Sequence, residues 1–221
     1  MAKHDPQLAA FFQHRERFHR GSDDSPLILT VPGLGNSGPD HWQTRWEENG
    51  QDVRRVELGD WAEPRRNIWV NRLNLAIRRA DRPVVLVAHS LGCHALAWWV
   101  EYEAFEEAHN VIGALLVAPP EVEEGAIDPR LTRFAPVPQV AFPFPSIVVA
   151  SRNDPYVRFA RARAMVEAWG SRFADAGPIG HINALSELGD WAFGRFLLHQ
   201  LKRRAAGSAK AFEAERRELV A

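Results

Sequence analysis

Three short runs carry residue types that can perform acyl-transfer chemistry together. The first is Val87-Ala88-His89-Ser90-Leu91-Gly92, placed where an apolar run gives way to a helical pattern. A serine held on a sharp strand-to-helix turn needs small residues two positions before and two after it, because the turn crowds its neighbours. Gly92 meets the second condition; Ala88 stands at the first, where the usual pattern has glycine, and is small enough. The backbone N–H of Leu91 then lies beside the serine at a helix N-terminus, where it stabilises a developing oxyanion. The same residues also read as a serine capping a helix.

A nucleophilic serine needs a base, and the base needs an orienting acid. Ser151-Arg152-Asn153-Asp154-Pro155-Tyr156 follows another apolar run and offers Asp154, while Gly180-His181-Ile182-Asn183 offers His181 from a glycine-marked loop. Taken singly, Asp154 before Pro155 is a helix N-cap with proline at the first helical position, and His181 is an exposed loop histidine. Taken together, each follows a predicted strand, and the order Ser90, Asp154, His181 is that of an α/β-hydrolase triad.

Gly33-Leu34-Gly35-Asn36-Ser37-Gly38 spells G-x-G-x-x-G after the first apolar run, with Glu57 and Asp60 further on. A dinucleotide fingerprint has this pattern, with its acid about 20 residues downstream. Its helix would start among the glycines, however, and would then contain Pro39, which costs a hydrogen bond and kinks it. Asp40 reads as the cap of a later helix. We therefore read a glycine loop close to Ser90, with the N–H of Leu34 as second oxyanion donor. Gly33, Gly35, His41 and Trp42 are candidate substrate-binding residues. A nucleotide-binding oxidoreductase built on Gly33–Gly38 is the weaker alternative. His89, Cys93 and His94 do not converge and bring no carboxylate, so they predict packing and no metal site.

Regular elements must carry these loops. Pro26–Val31, Gln51–Leu58, Pro83–Ala88, Val111–Ala118, Ser146–Ser151 and Ser171–Ala174 read as strands. Pro39–Asn49, Arg66–Ala80, Leu91–Ala108, Tyr156–Trp169 and Asp190–Arg203 carry apolar residues at helical spacing. Strands alternating with helices predict an α/β fold in three layers, with a mostly parallel sheet of about six strands and right-handed crossovers. Sheet order then brings the loops bearing Ser90, Asp154 and His181 to one edge. Pro119–Pro145, with seven of the fifteen prolines, is too long for an ordinary connection and predicts a surface excursion near the site.

Composition narrows the classes. The 221 residues carry 27 Lys and Arg against 28 Asp and Glu, which gives no electrostatic case for nucleic acid or an anionic membrane. Cys93 is the single cysteine and cannot form an internal disulfide. Residues 1–20 lack the apolar core of a signal peptide, and no run approaches the ~18 apolar residues of a membrane helix. The expectation is a soluble, cytoplasmic protein: an N-terminal extension over 1–25 with a short helix near Leu8, Phe11 and Phe12, one domain over 26–201, and a charged tail over 202–221.

Pro32 to Gln43, Ala88 to Gly92, Asn153 to Tyr156 and Gly180 to Asn183 together resemble the small serine hydrolases of the retinoblastoma-binding-protein-9 type, a compact branch of the α/β-hydrolases. The resemblance spans about residues 27–200. It implies Ser90 as nucleophile, Asp154 as acid and His181 as base, with no large cap domain; chemistry by such a triad needs no metal or cofactor. Ala184 to Leu188 depart from the family's usual run, so no roles pass to them. The expected partner is a small-molecule ester or acyl substrate; a protein-binding module on the same fold, suggested by the family's name, is the alternative.

Overall fold

Leu27–Val31 (β1), Val84–His89 (β3), Val111–Val117 (β4) and Ser146–Ala150 (β5) are apolar and buried along almost their whole length. Strands with no polar face must be covered on both sides, which is the condition of a central parallel sheet. The computed structural model describes residues 25–107 and 110–203, and it meets that condition. Val53–Arg55 (β2) and Arg172–Asp175 (β6) complete a six-stranded sheet in the order β2-β1-β3-β4-β5-β6. Every neighbouring pair is parallel.

Helices lie on both faces. Trp42–Asn49 (α1) and residues 192–203 (α5) cover one face, where Trp42, Trp46, Leu197, Leu198 and Leu201 pack on Val85, Val87, Leu115 and Val117. Arg66–Arg78 (α2), Leu91–Glu107 (α3) and Phe159–Ala168 (α4) cover the other, against Leu29, Leu86, Leu116 and Val148. This is the three-layer α/β-hydrolase architecture that the alternating pattern predicts. Among the described residues, no helix is long and apolar enough to cross a membrane.

Several boundaries differ from expectation for local reasons. β2 keeps only three of the residues from Gln51 to Leu58, because it is an edge strand paired on one side with β1. α4 begins at Phe159 and not at Tyr156, since the Asp154 carboxylate accepts the Tyr156 N–H at 2.9 Å and closes a turn there instead of capping a helix. His41, not Asp40, caps α1: its Nδ1 accepts the Gln43 N–H at 3.1 Å. The Pro119–Pro145 segment is not merely superficial. It contains a 3-10 turn at Leu131–Phe134 whose Leu131 and Phe134 are buried, and the Trp98 indole N–H donates to the Phe134 carbonyl at 2.7 Å. The expectations for the N-terminal extension and the charged tail fall on residues 1–24 and 204–221, outside the described residues.

Candidate active site

Parallel register aligns the carboxyl ends of the strands. Val31 pairs with Ala88, His89 with Val117, and Ala150 with Asp175. The loops after β1, β3, β5 and β6 therefore open on one edge, where ligands of open α/β sheets bind. Ser90 occupies the single residue between β3 and α3 and has a φ of 53°. That left-handed backbone is costly for a residue with a Cβ and persists only where its surroundings enforce it. The surroundings are tight. A Cβ on Gly92 would lie 2.2 Å from the Val31 carbonyl oxygen, and one on Gly33 would lie 2.7 Å from the Ser90 Cβ. Both glycines allow backbone to approach backbone, while Ala88, inside β3 and fully buried, is accommodated without glycine.

The turn brings together the three side chains singled out from the sequence. The Ser90 hydroxyl donates to His181 Nε2 at 2.8 Å, and His181 Nδ1–H donates to both Asp154 carboxylate oxygens at 2.9 Å. All three residues are buried, each less than a tenth exposed. The hydrogen bond to Asp154 sets the imidazole tautomer and leaves the Nε2 lone pair facing the serine. The Tyr156 ring lies 4.3 Å from the His181 ring and covers one side of it.

Loop-to-loop ties hold this chain of contacts. Asn153 Oδ1 accepts the Gly180 N–H at 2.7 Å, and the Ser151 hydroxyl oxygen accepts the Ile179 N–H at 3.0 Å. The loop carrying the acid is thus bonded directly to the loop carrying the imidazole. Asn153 lies within a motif already noted, but its tie to Gly180 needs both loops in place and has no local sequence signal.

The glycine loop lies alongside. Gly33 is packed on Ser90 and Leu91, so the glycine loop runs beside the serine. Leu91 opens α3, where the first N–H groups have no acceptor within the helix. Gly35 is exposed, with a φ of 77°. α1 starts only at Trp42, beyond Pro39, so the glycine run lies outside the helix and does not form a dinucleotide cradle. His41 and Trp42 are almost fully buried, and the Trp42 indole packs in the core beside Trp46 and Trp191. Their place is behind the site, not along an open wall.

Burial disfavours the charged forms of the neighbouring imidazoles and of the thiol. His41 and His94 are both held at a pKa of about 4, chiefly by desolvation, and burial likewise lowers that of His89 well below its usual value. Burial pushes the Cys93 thiol up, against a reactive thiolate. No group of His, Cys, Asp and Glu suited to a metal occurs among the described residues.

Comparison with known proteins agrees with this architecture. A sequence profile described as serine hydrolase matches residues 28–200. A YdeN-like hydrolase from Pectobacterium atrosepticum is 29% identical, with 90% of this chain and 96% of that one covered at a TM-score of 0.67. The ydeN gene product of B. subtilis is 19% identical, over 81% of this chain and 100% of that one, at a TM-score of 0.64. Est1E from Butyrivibrio proteoclasticus, solved with ferulic acid bound, is 15% identical over 83% and 92%, at a TM-score of 0.59. At the last two identities the likeness is one of fold. No curated protein matches the chain.

Proposed function

The chain belongs to the serine hydrolase family, and from that premise we propose that it cleaves a carboxylic ester, thioester or amide of a small molecule through an acyl-enzyme on Ser90. The observation that carries this reading is the unbroken hydrogen-bonded chain from Ser90 through His181 to Asp154. His181 Nε2 takes the Ser90 proton as Oγ attacks the substrate carbonyl. The N–H groups of Leu91 and Leu34 receive the negative charge that develops on the carbonyl oxygen; such donors act where water is excluded and are already oriented. His181 then gives its proton to the leaving group, which departs as the tetrahedral adduct collapses. Water, activated by the same imidazole, discharges the acyl group in a second round. Asp154 keeps the imidazole in register and stabilises its cation.

No metal or cofactor enters this cycle. Within the family we place the chain beside the retinoblastoma-binding-protein-9 type, on the four ordered motifs, and its work in the cytoplasm. Hydrolysis of p-nitrophenyl esters of graded chain length, with labelling by a fluorophosphonate probe, tests the reading. Wild-type protein should turn over at least one ester and take up the probe at Ser90, and Ser90→Ala should lose both. Folded wild type that stays unlabelled at Ser90 overturns it.

A further inference from the structure

The run His41-Trp42-Gln43, at the start of α1, is not used by the chemistry above, yet its side chains reach the serine strand, the glycine loop and the histidine loop. Trp42 donates its indole N–H to the Ile182 carbonyl at 2.7 Å, across 140 residues of sequence. Gln43 is completely buried and uses both ends of its amide. Its Nε2–H donates to the Val87 carbonyl at 2.9 Å, three residues before Ser90, and its Oε1 accepts the Ser37 hydroxyl at 2.7 Å. Thr44, one residue on, donates its hydroxyl to the Ser37 carbonyl at 2.9 Å. One helical turn thus ties the serine-bearing strand to the glycine loop and to the histidine loop.

The histidine loop needs such a hold. Ile182 has a φ of 51°, a left-handed conformation that a β-branched residue adopts only under constraint. The carbonyls on both sides of that strain are gripped. His89, the neighbour of Ser90, approaches the His181 carbonyl at 3.0 Å through Nε2, which must carry the proton because a carbonyl only accepts. Trp42 holds the Ile182 carbonyl.

We propose that Trp42, Gln43 and His89 are positioning residues that brace the site from behind: Trp42 and His89 hold His181 onto Ser90, and Gln43 holds the glycine loop that presents the Leu34 N–H. The proposal rests on the hydrolase reading above, and its two arms are separable. A small displacement of an oriented group costs rate steeply, so Trp42→Phe, His89→Leu and Gln43→Met should each lower kcat on a p-nitrophenyl ester roughly tenfold, with KM changed less than about twofold. His89→Gln, which keeps an N–H donor, should recover most of the rate.

The same substitutions are then placed on His181→Ala. With the imidazole gone, Trp42→Phe and His89→Leu should cost nothing further, whereas Gln43→Met should still lower the residual rate that the oxyanion donors sustain. Folded variants that keep wild-type kcat overturn the brace, as does a Trp42→Phe loss that persists in His181→Ala. If Trp42→Phe does not fold, His89→Leu carries the same test. If wild type hydrolyses no ester, the functional reading fails separately, and the brace is read by proton NMR of the His181 Nδ1–H signal. That signal should be sharp in wild type and broadened in His89→Leu or Trp42→Phe; equal sharpness overturns the proposal.

Discussion

Ser90 with His181 and Cys93 with His94 draw on the same two functional groups, a nucleophile and an imidazole, and both nucleophiles sit at the start of α3. Their surroundings differ in every respect that matters. Ser90 stands on a left-handed turn with an imidazole nitrogen 2.8 Å away and a carboxylate behind it. Cys93 points into the core, where its thiol donates to the Val117 carbonyl at 3.5 Å and burial raises its pKa. His94 spends its Nε2–H on the Pro120 carbonyl at 2.8 Å, and its buried Nδ1 has no partner among the described residues. On the proposed reading, reactivity follows from what the turn faces and what lies behind the imidazole, and not from how reactive the free side chain is.

The contrast is broken most severely by removing what lies behind the imidazole. Asp154→Asn keeps the shape but favours the wrong tautomer of His181, and should lower kcat by roughly 10³–10⁴-fold with the fold intact. Stopped-flow acylation and a thermal melt on the same sample check this; an active variant would mean that Asp154 is structural. Gly33→Ala comes next. The added methyl meets Ser90 Cβ at 2.7 Å, the His89 carbonyl oxygen at 3.0 Å and the Leu91 nitrogen at 3.1 Å, so the glycine loop must move away. Loss of one oxyanion donor costs about 10²–10³-fold in kcat, and that is the expected fall. An unchanged kcat would place the second donor elsewhere.

Much of this contrast is legible in the sequence. β-branched runs announce the central strands, two of which lead into Ser90 and Asp154, whereas the edge strand before His181, Arg172–Asp175, carries no β-branched residue and only a weak signal. What is not legible depends on contacts between distant segments. Trp42 and His41 near the glycine loop suggest a pocket lining, but Trp42 is drawn inward by a carbonyl 140 residues away. Asp154 before Pro155 resembles a helix cap, yet its carboxylate serves the Tyr156 N–H and His181 instead. The proline-rich segment suggests surface, while Phe134 within it is fully buried against Trp69. Local patterns identify the elements; which side chain satisfies which distant backbone group appears only once the sheet is assembled.

The buried imidazoles sharpen the comparison through acid stability. His94 has a pKa of about 4 in the fold, against an ordinary 6.5 in the unfolded chain. Between those values the unfolded chain binds a proton that the native state refuses, so stability is complete above pH 6.5 and falls as the pH drops toward 4. His41, also at about 4, and His89, lowered by burial, act in the same direction. By pH 5 the cost from His94 alone is on the order of 2 kcal/mol. Urea unfolding at pH 7.5 and pH 5 measures it. His94→Gln, which retains a donor for the Pro120 carbonyl, should shrink the difference by about that amount; an unchanged difference would assign the acid sensitivity to other groups.

The smallest effect expected is the loss of the second nucleophile itself. Cys93 lies three residues beyond Ser90, and a cysteine there invites a role in catalysis or a substitute for the serine. Its sulfur is fully buried, and the thiol is held protonated. Cys93→Ala should therefore leave kcat and KM unchanged within about twofold while opening a small cavity in the α3 packing. Deleting one buried heavy atom of this size costs about 1 kcal/mol, which lowers Tm by about 2–4 °C in a chain of this length. A thiol-specific reagent should modify wild type no faster than the protein unfolds, and hydrolysis should continue in its presence. Rapid modification of the native protein, or a Cys93→Ala kcat reduced tenfold, would mean that the first turn of α3 opens toward the site and that Cys93 belongs to it.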